Sequence, residues 1–306
     1  MKKRNITAIV ALMIAAVLAV ALVVACGDKK DEKSTASPTA GGGINGQLTG
    51  TPMENFTQIL GREPTGLAKE IADKGVIVVA NDLNYPPQSY VDETTKDIVG
   101  FDVDSADTMA KILGIRVKFV HPAWETIPTG LKTGQYDVSI GSMTITPERQ
   151  KTLSFTEPYY YTPAQVFVKK GGMQITGPDD LAGKTVGVGA QTTYYDYLKA
   201  NTSAKVKTYT TDADAFPDLL NGNIEFVMTA APTGLEAMNK GKPMEFSGKP
   251  FYYEDLGFAV KLGETDLVAV LNYAIQKMHE IPEGGEALLT QSSKTWYNGV
   301  DLTVKQ

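Results

Sequence analysis

Asp137-Val138-Ser139-Ile140-Gly141-Ser142-Met143-Thr144-Ile145-Thr146-Pro147-Glu148-Arg149 is the stretch that decides the fold. Up to Gly141 it reads as a buried strand. Small hydroxyl residues then line a turn. Thr146-Pro147-Glu148 starts a helix, with a hydroxyl N-cap, proline at the first helical position and an acid in the first turn. A strand that feeds a helix through a tight turn is the repeating unit of parallel α/β architecture.

The unit recurs on both sides. Upstream, Val76–Ala80 is a β-branched run ending at the turn signal Asn84-Tyr85-Pro86-Pro87. Asp102–Leu113 has helical spacing and stops at Gly114, Ile115–Val120 is a strand, Trp124–Lys132 a helix and Tyr136–Ile140 a strand. Downstream, the strands are Lys184–Gly189, Lys205–Tyr209 and Ile224–Met228. Helices at Thr192–Ala200, Ala213–Leu220 and Pro232–Met238 alternate with them. Leu131-x-x-Gly134-x-x-Asp137 and Leu219-x-x-Gly222-x-x-Glu225 echo one another, as expected of two lobes of related design. Ala164–Val168 and Leu256–Val260 bracket the second block and read as two crossings between lobes. The expectation is an α/β chain with lobe 1 at 63–165 plus 255–306, lobe 2 at 166–254, and a hinged cleft at the strand ends.

The N-terminus reads separately. Lys2, Lys3 and Arg4 precede an apolar run from Ala8 to Ala25, and Val23-Val24-Ala25-Cys26 resembles a bacterial lipobox. Residues 1–25 are therefore expected to be a lipoprotein signal peptide, with Cys26 the acylated residue and the membrane its partner through that lipid. An uncleaved membrane-spanning helix is the alternative, and either reading puts the rest of the chain outside. Residues 26–62, rich in charge and then in Ser, Thr, Gly and Pro, are expected to be a flexible tether.

Hydrophobic content of 42% and charged content of 21% suit a globular protein. Without residues 1–25 the chain has 26 Lys+Arg against 35 Asp+Glu, a net charge of −9, which argues against nucleic acid as a partner. Cys26 is the single cysteine, so neither an internal disulfide nor a thiolate metal cluster can form. His121 and His279 lie far apart with no spacing for a metal or a catalytic triad, and no phosphate-binding glycine loop or serine elbow is found. No cofactor, metal or enzymatic activity is expected, and the protein is expected to act as a monomer. His279, late in a helix, reads as a favourable end-of-helix charge.

Arg149 in the first helical turn could grip a carboxylate through paired hydrogen bonds, helped by backbone N–H groups and the positive helix end. It could equally be a surface arginine behind an ordinary cap. Tyr194 and Tyr195 could take part in an aromatic cage, although packing is the commoner role for such residues.

Gly100-Phe101-Asp102-Val103-Asp104, Trp124, Thr144-Ile145-Thr146-Pro147-Glu148-Arg149, Phe155-Thr156-Glu157-Pro158-Tyr159-Tyr160 and Asp180-Leu181-x-Gly183-Lys184-x-Val186-Gly187-Val188 occur in that order. From about residue 65 to 300 the chain resembles family 3 of the bacterial extracellular solute-binding proteins, the polar amino-acid-binding group of ABC importers. The resemblance implies a two-lobed, type II periplasmic-binding-protein-like fold and a membrane permease as partner. It also implies that Arg149 binds the ligand carboxylate, with Ser142 and Thr144 as donors from the same turn. Tyr85 and Trp124 become walls over the ligand, Thr192 and Thr193 further donors, and Asp82 a contact for a distal cation or else a plain turn residue. The usual aspartate for the ligand ammonium is Ala230 here, so the ligand is expected to be a small carboxylate other than a typical L-α-amino acid, unless another group holds the ammonium. Alternatives are a cyclohexadienyl dehydratase-like enzyme, for which Glu157 and Asp82 are the acids available, and a sensory receptor that presents its ligand to a signalling protein.

Overall fold

The computed structural model describes residue 44 and residues 46–305. The signal peptide, Cys26 and the first part of the expected tether lie outside these residues.

Helices α1 (Pro52–Leu60) and α2 (Gly66–Lys74) lead into β1 (Val76–Ala80), and β2 (Asn84–Tyr85), β3 (Ser89–Val91) and β4 (Ile98–Val99) form a small side sheet. Then come α3 (Phe101–Leu113), β5 (Arg116–Val120), α4 (Ile127–Thr133), β6 (Val138–Thr144) and α5 (Pro147–Gln150). β7 (Leu153–Lys169) crosses to the second half, made of β8 (Thr185–Gly189), α6 (Thr193–Asn201), β9 (Lys205–Tyr209), α7 (Phe216–Asn221), β10 (Phe226–Ala230), α8 (Ala231–Asn239) and β11 (Met244–Phe246). β12 (Tyr252–Lys261) returns, and α9 (Thr265–His279) and α10 (Leu288–Trp296) complete the first half.

The strands join in the order β5-β1-β6-β12-β7-β10-β8-β9. β5, β1 and β6 are mutually parallel, as are β10, β8 and β9, matching the alternation read from sequence. β7 and β12 are antiparallel to each other and to their outer neighbours, so the sheet is mixed where the pattern alone suggested parallel strands throughout. The largest apolar core gathers residues from Phe56 to Tyr160 and from Leu256 to Leu302. Two others draw on buried residues from Ala164 to Met244.

The tether is shorter than expected. Thr51 caps α1: its Oγ1 accepts from the Glu54 N–H at 3.3 Å, while Glu54 Oε2 accepts from the Thr51 N–H at 2.8 Å. Pro52 takes the first helical position. Phe56 is fully buried in the largest core, and Asn55 Nδ2 donates to the Leu113 carbonyl at 3.0 Å. Thr51-Pro52-Met53-Glu54 is a capping box, and the low-complexity run before it masked that signal. Residues 52–60 are thus part of the folded body. Phe56→Ala should destabilise the protein by about 3–5 kcal/mol, measured by denaturant unfolding, whereas a mobile tether would tolerate the change.

α3 begins where Gly100 has φ of 135°, and a Cβ there would lie 2.2 Å from the Gln88 carbonyl oxygen. That close approach places Asp102, on the second helical residue, behind the end of β6. The expected helix after Thr146 is the single turn α5, because β7 resumes at Leu153.

Candidate functional site

A cavity with about 600 Å³ of empty space, mouth included, opens where the ends of β1, β6 and β8 meet the crossing strands. Asp82, Tyr85, Trp124, Ser142, Thr144, Arg149, Thr192 and Thr193 all line it. The structure brings together every ligand-contact residue expected from sequence. It adds Asp212 and Glu254, which the sequence reading did not single out, and Tyr194.

Arg149 is held by its own turn, since Thr146 Oγ1 accepts from its N–H at 3.1 Å. Its guanidinium donates to the Thr144 carbonyl at 3.0 Å and to the Gln191 carbonyl at 3.4 Å, and lies 5.4 Å from the Trp124 ring centroid. Burial lowers its pKa and Glu254 opposes that shift, yet a guanidinium stays charged at neutral pH. A one-turn helix has almost no macrodipole, so the positive charge here is the guanidinium itself and not the helix end.

The hydroxyls are already engaged. Ser142 lies at φ 56°, an uncommon conformation for a residue with a side chain, and its Oγ donates to Asp102 at 2.8 Å. Thr192 Oγ1 donates to the Gly189 carbonyl at 2.9 Å and caps α6 by accepting from the Tyr195 N–H at 3.2 Å. Thr144 Oγ1 donates to Glu254 Oε1 at 3.0 Å, and Thr193 Oγ1 donates to the same oxygen. Asp82 serves its turn: Oδ1 accepts from the Asn84 N–H at 2.8 Å and Oδ2 from the Trp124 N–H at 3.0 Å.

Three acids are buried at or behind the cavity wall. Asp102, bonded to Tyr159 and Ser142, is pushed up to about 7 by burial. Asp212 is pushed up to about 6 by burial, against opposing hydrogen bonds from Thr229 Oγ1 at 2.8 Å and the Gly189 N–H at 2.6 Å. Gly189 is what permits that approach, since a Cβ there would lie 2.6 Å from the Asp212 carboxylate. Glu254 is raised by burial, with Thr193, Tyr194, Thr144 and Arg149 pulling the other way. Ala230 is fully buried at the end of β10, next in sequence to the Thr229 that holds Asp212.

The model of the bacterial extracellular solute-binding proteins, family 3, matches residues 77–291. The chain belongs to this family. Its relatives include the L-cystine-binding protein TcyJ of Escherichia coli strain K12, 32% identical over 78% of this chain and 88% of TcyJ. The arginine-binding periplasmic protein of Mannheimia haemolytica is 32% identical over 66% of this chain and 85% of its own. Among solved structures, a mutant of the T. maritima ArgBP superposes with a TM-score of 0.68 at 30% identity, covering 75% of this chain and 98% of that one. The ancestral amino acid-binding protein AncCDT-1, a precursor of cyclohexadienyl dehydratase, gives a TM-score of 0.68 at 30% identity, covering 74% and 98%. The two-lobed fold of this solute-binding protein is that of these neighbours.

Other expectations need correction. Glu157 is exposed on β7, where its N–H donates to Asn272 Oδ1 at 2.8 Å, outside the cavity lining. Burial lowers the His279 pKa, against a backbone hydrogen bond to Pro158, which weakens the end-of-helix charge expected of it. Tyr194 faces the cavity, while Tyr195 packs on the second lobe's core. Among the described residues no group of three or more His, Cys, Asp or Glu side chains is placed to hold a metal, and no helix is long and apolar enough to cross a membrane.

Asp102 gives a signed pH prediction. Its folded pKa of about 7 lies above the ordinary 3.8, so its contribution to stability falls as pH rises from about 4 to 7. Asp102→Asn does not titrate. Its melting temperature relative to the unsubstituted protein should therefore move upward between pH 4.5 and pH 8, and a constant offset would refute the assignment.

Proposed function

We propose that this solute-binding protein captures a small amino acid or amino-acid-like carboxylate outside the cell and delivers it to an ABC permease. The observation that supports this best is Arg149, which spans from the Thr144 carbonyl to the Gln191 carbonyl across the cavity and keeps donors in hand. Two of its five N–H groups are used, leaving enough for a paired grip on a carboxylate. Tyr85 and Trp124 wall the cavity, Thr144 and Thr193 bring the hydroxyls bonded to Glu254 into its lining, and Ser142, Thr192 and Asp82 hold its frame. Closure of the lobes on the ligand presents the face that the permease reads.

The charge balance narrows the ligand. Asp82, Asp212 and Glu254 outnumber Arg149 in the lining, so the ligand carries at least one cationic group besides its carboxylate. Ala230 removes the family's usual ammonium partner, and the buried acids remove the need to exclude α-amino acids on that ground. The relatives named for arginine and cystine set the first compounds to try. A thermal-shift screen of amino acids and their deaminated analogues should show stabilisation by an amino acid, because a ligand bound only by the native state raises its melting temperature. Arg149→Ala should weaken binding of every carboxylate about 100-fold or more, the scale of removing one partner from a desolvated charge pair. Unchanged affinity in a titration would remove Arg149 from the site.

Asp212, buried in the cleft with its pKa pushed up to about 6 by burial, has the character of a general acid, and a dehydratase is the second reading. Prephenate or arogenate incubated with the protein should not aromatise, and aromatisation would overturn the transport reading. Cys26 is the proposed acyl anchor. Cys26→Ser should move the protein from the membrane fraction to the soluble extracytoplasmic fraction, as read by fractionation and immunoblot.

A further inference from the structure

Asp212 and Glu254 are 5% and 3% exposed, and neither has a cation within ion-pair distance among the described residues. They come from different parts of the fold. Asp212 starts the short helical turn after β9, and Glu254 sits in β12, opposite Thr162 of β7. Both line the same cavity, and both act on the hydroxyls of Tyr85 and Tyr194. Their partners are neutral: Thr229 and the Gly189 N–H for one, Thr144 and Thr193 for the other. Two buried carboxylates solvated only by neutral donors are costly when ionised, and a cation arriving between them offsets that cost.

Arg149 is a poor candidate for that cation. It is turned to the Thr144 and Gln191 carbonyls and to the Trp124 face, and it makes no ion pair with either acid. Fully buried Ala230 offers no carboxylate at the end of β10. We propose that the ligand's ammonium group is seated between Glu254 and Asp212, so that the role missing at Ala230 is carried by one residue of the crossing strand and one of the second lobe. This deepens the transport reading above and rests on it.

Glu254 thereby gains a second role as a specificity residue. Its Oε1 takes the hydroxyls of Thr144, from the first lobe, and Thr193, from the second, so the ammonium is read at the junction where the lobes meet. The cation also favours the ionised form of both acids, so binding should release protons below about pH 6, where Asp212 is partly protonated without ligand. Affinity for an ammonium-bearing ligand should fall as pH drops through that value.

The test compares ligands that differ only in the ammonium. L-Arginine, L-glutamine and L-cystine are each titrated calorimetrically beside the same molecule lacking its α-ammonium groups, using the full protein and the variants Glu254→Gln and Asp212→Asn. Circular dichroism confirms that both near-isosteric variants fold. The expected result is that each variant weakens the ammonium-bearing compounds about tenfold or more, as for loss of one partner of a buried charge, and changes the deaminated compounds less than threefold. Ala230→Asp placed on Glu254→Gln should restore part of the lost affinity. Equal losses for both members of a pair, or amino-acid affinity unmoved in both variants, would overturn the ammonium seat while leaving the transport reading in place. Failure of the unsubstituted protein to bind any amino acid or deaminated analogue in the thermal-shift screen would overturn both.

Discussion

One antiparallel ladder carries both halves of the molecule. β12 pairs with β7 from Lys261 opposite Leu153 to Tyr252 opposite Ala164. Beyond it, β6 attaches to β12 on one side and β10 to β7 on the other. Each half then builds outward through parallel strands. The site must form at this ladder, because here the strand ends of both parallel sets converge. β-Ladder hydrogen bonds resist stretching but permit twist, and that suits a hinge.

The polar groups around the ladder are arranged in tiers. Behind β6, Asp102 receives Tyr159 and Ser142 and fixes the backbone of Ser142 in a left-handed conformation. In the cavity wall, threonine hydroxyls are spent on Gly189 and Glu254. Arg149 keeps donors free for the space, and Asp212 and Glu254 are acids buried at its wall. Hydroxyls are cheap to rearrange when a ligand arrives. Buried charges are not, so they decide what can bind.

The cost of that arrangement falls on the ligand-free protein. Asp102, Asp212 and Glu254 all have raised pKa values, so each detracts from stability once ionised. A binding protein can tolerate this because its working state is the occupied one, and the ammonium seat proposed above would offset part of that cost. Outside the cavity, carboxylates such as Asp266, held by Arg62 and Thr65, have lowered pKa values and stabilise the fold at neutral pH in the usual way.

The alternation of strands and helices, the capped turn at Thr146 and the position of Arg149 were legible in the sequence, because periodicity and capping are local. The residues expected at the ligand lie together for the same reason: they cluster near strand ends and helix starts, and in such folds those ends point one way. The helix at 52–60 was read as part of a tether, because its capping box follows a low-complexity run and its burial depends on a core built by residues up to Leu302. Asp212 and Glu254 carried no local signal. One is an acid that opens a short helical turn and the other an acid in a strand, and nothing within a few residues of either distinguishes it from a solvated side chain. The sequence by itself determined the family, the fold and the guanidinium. Tertiary structure alone decided which acids lose water and face a cavity, because burial of a charge is set by residues from both lobes at once.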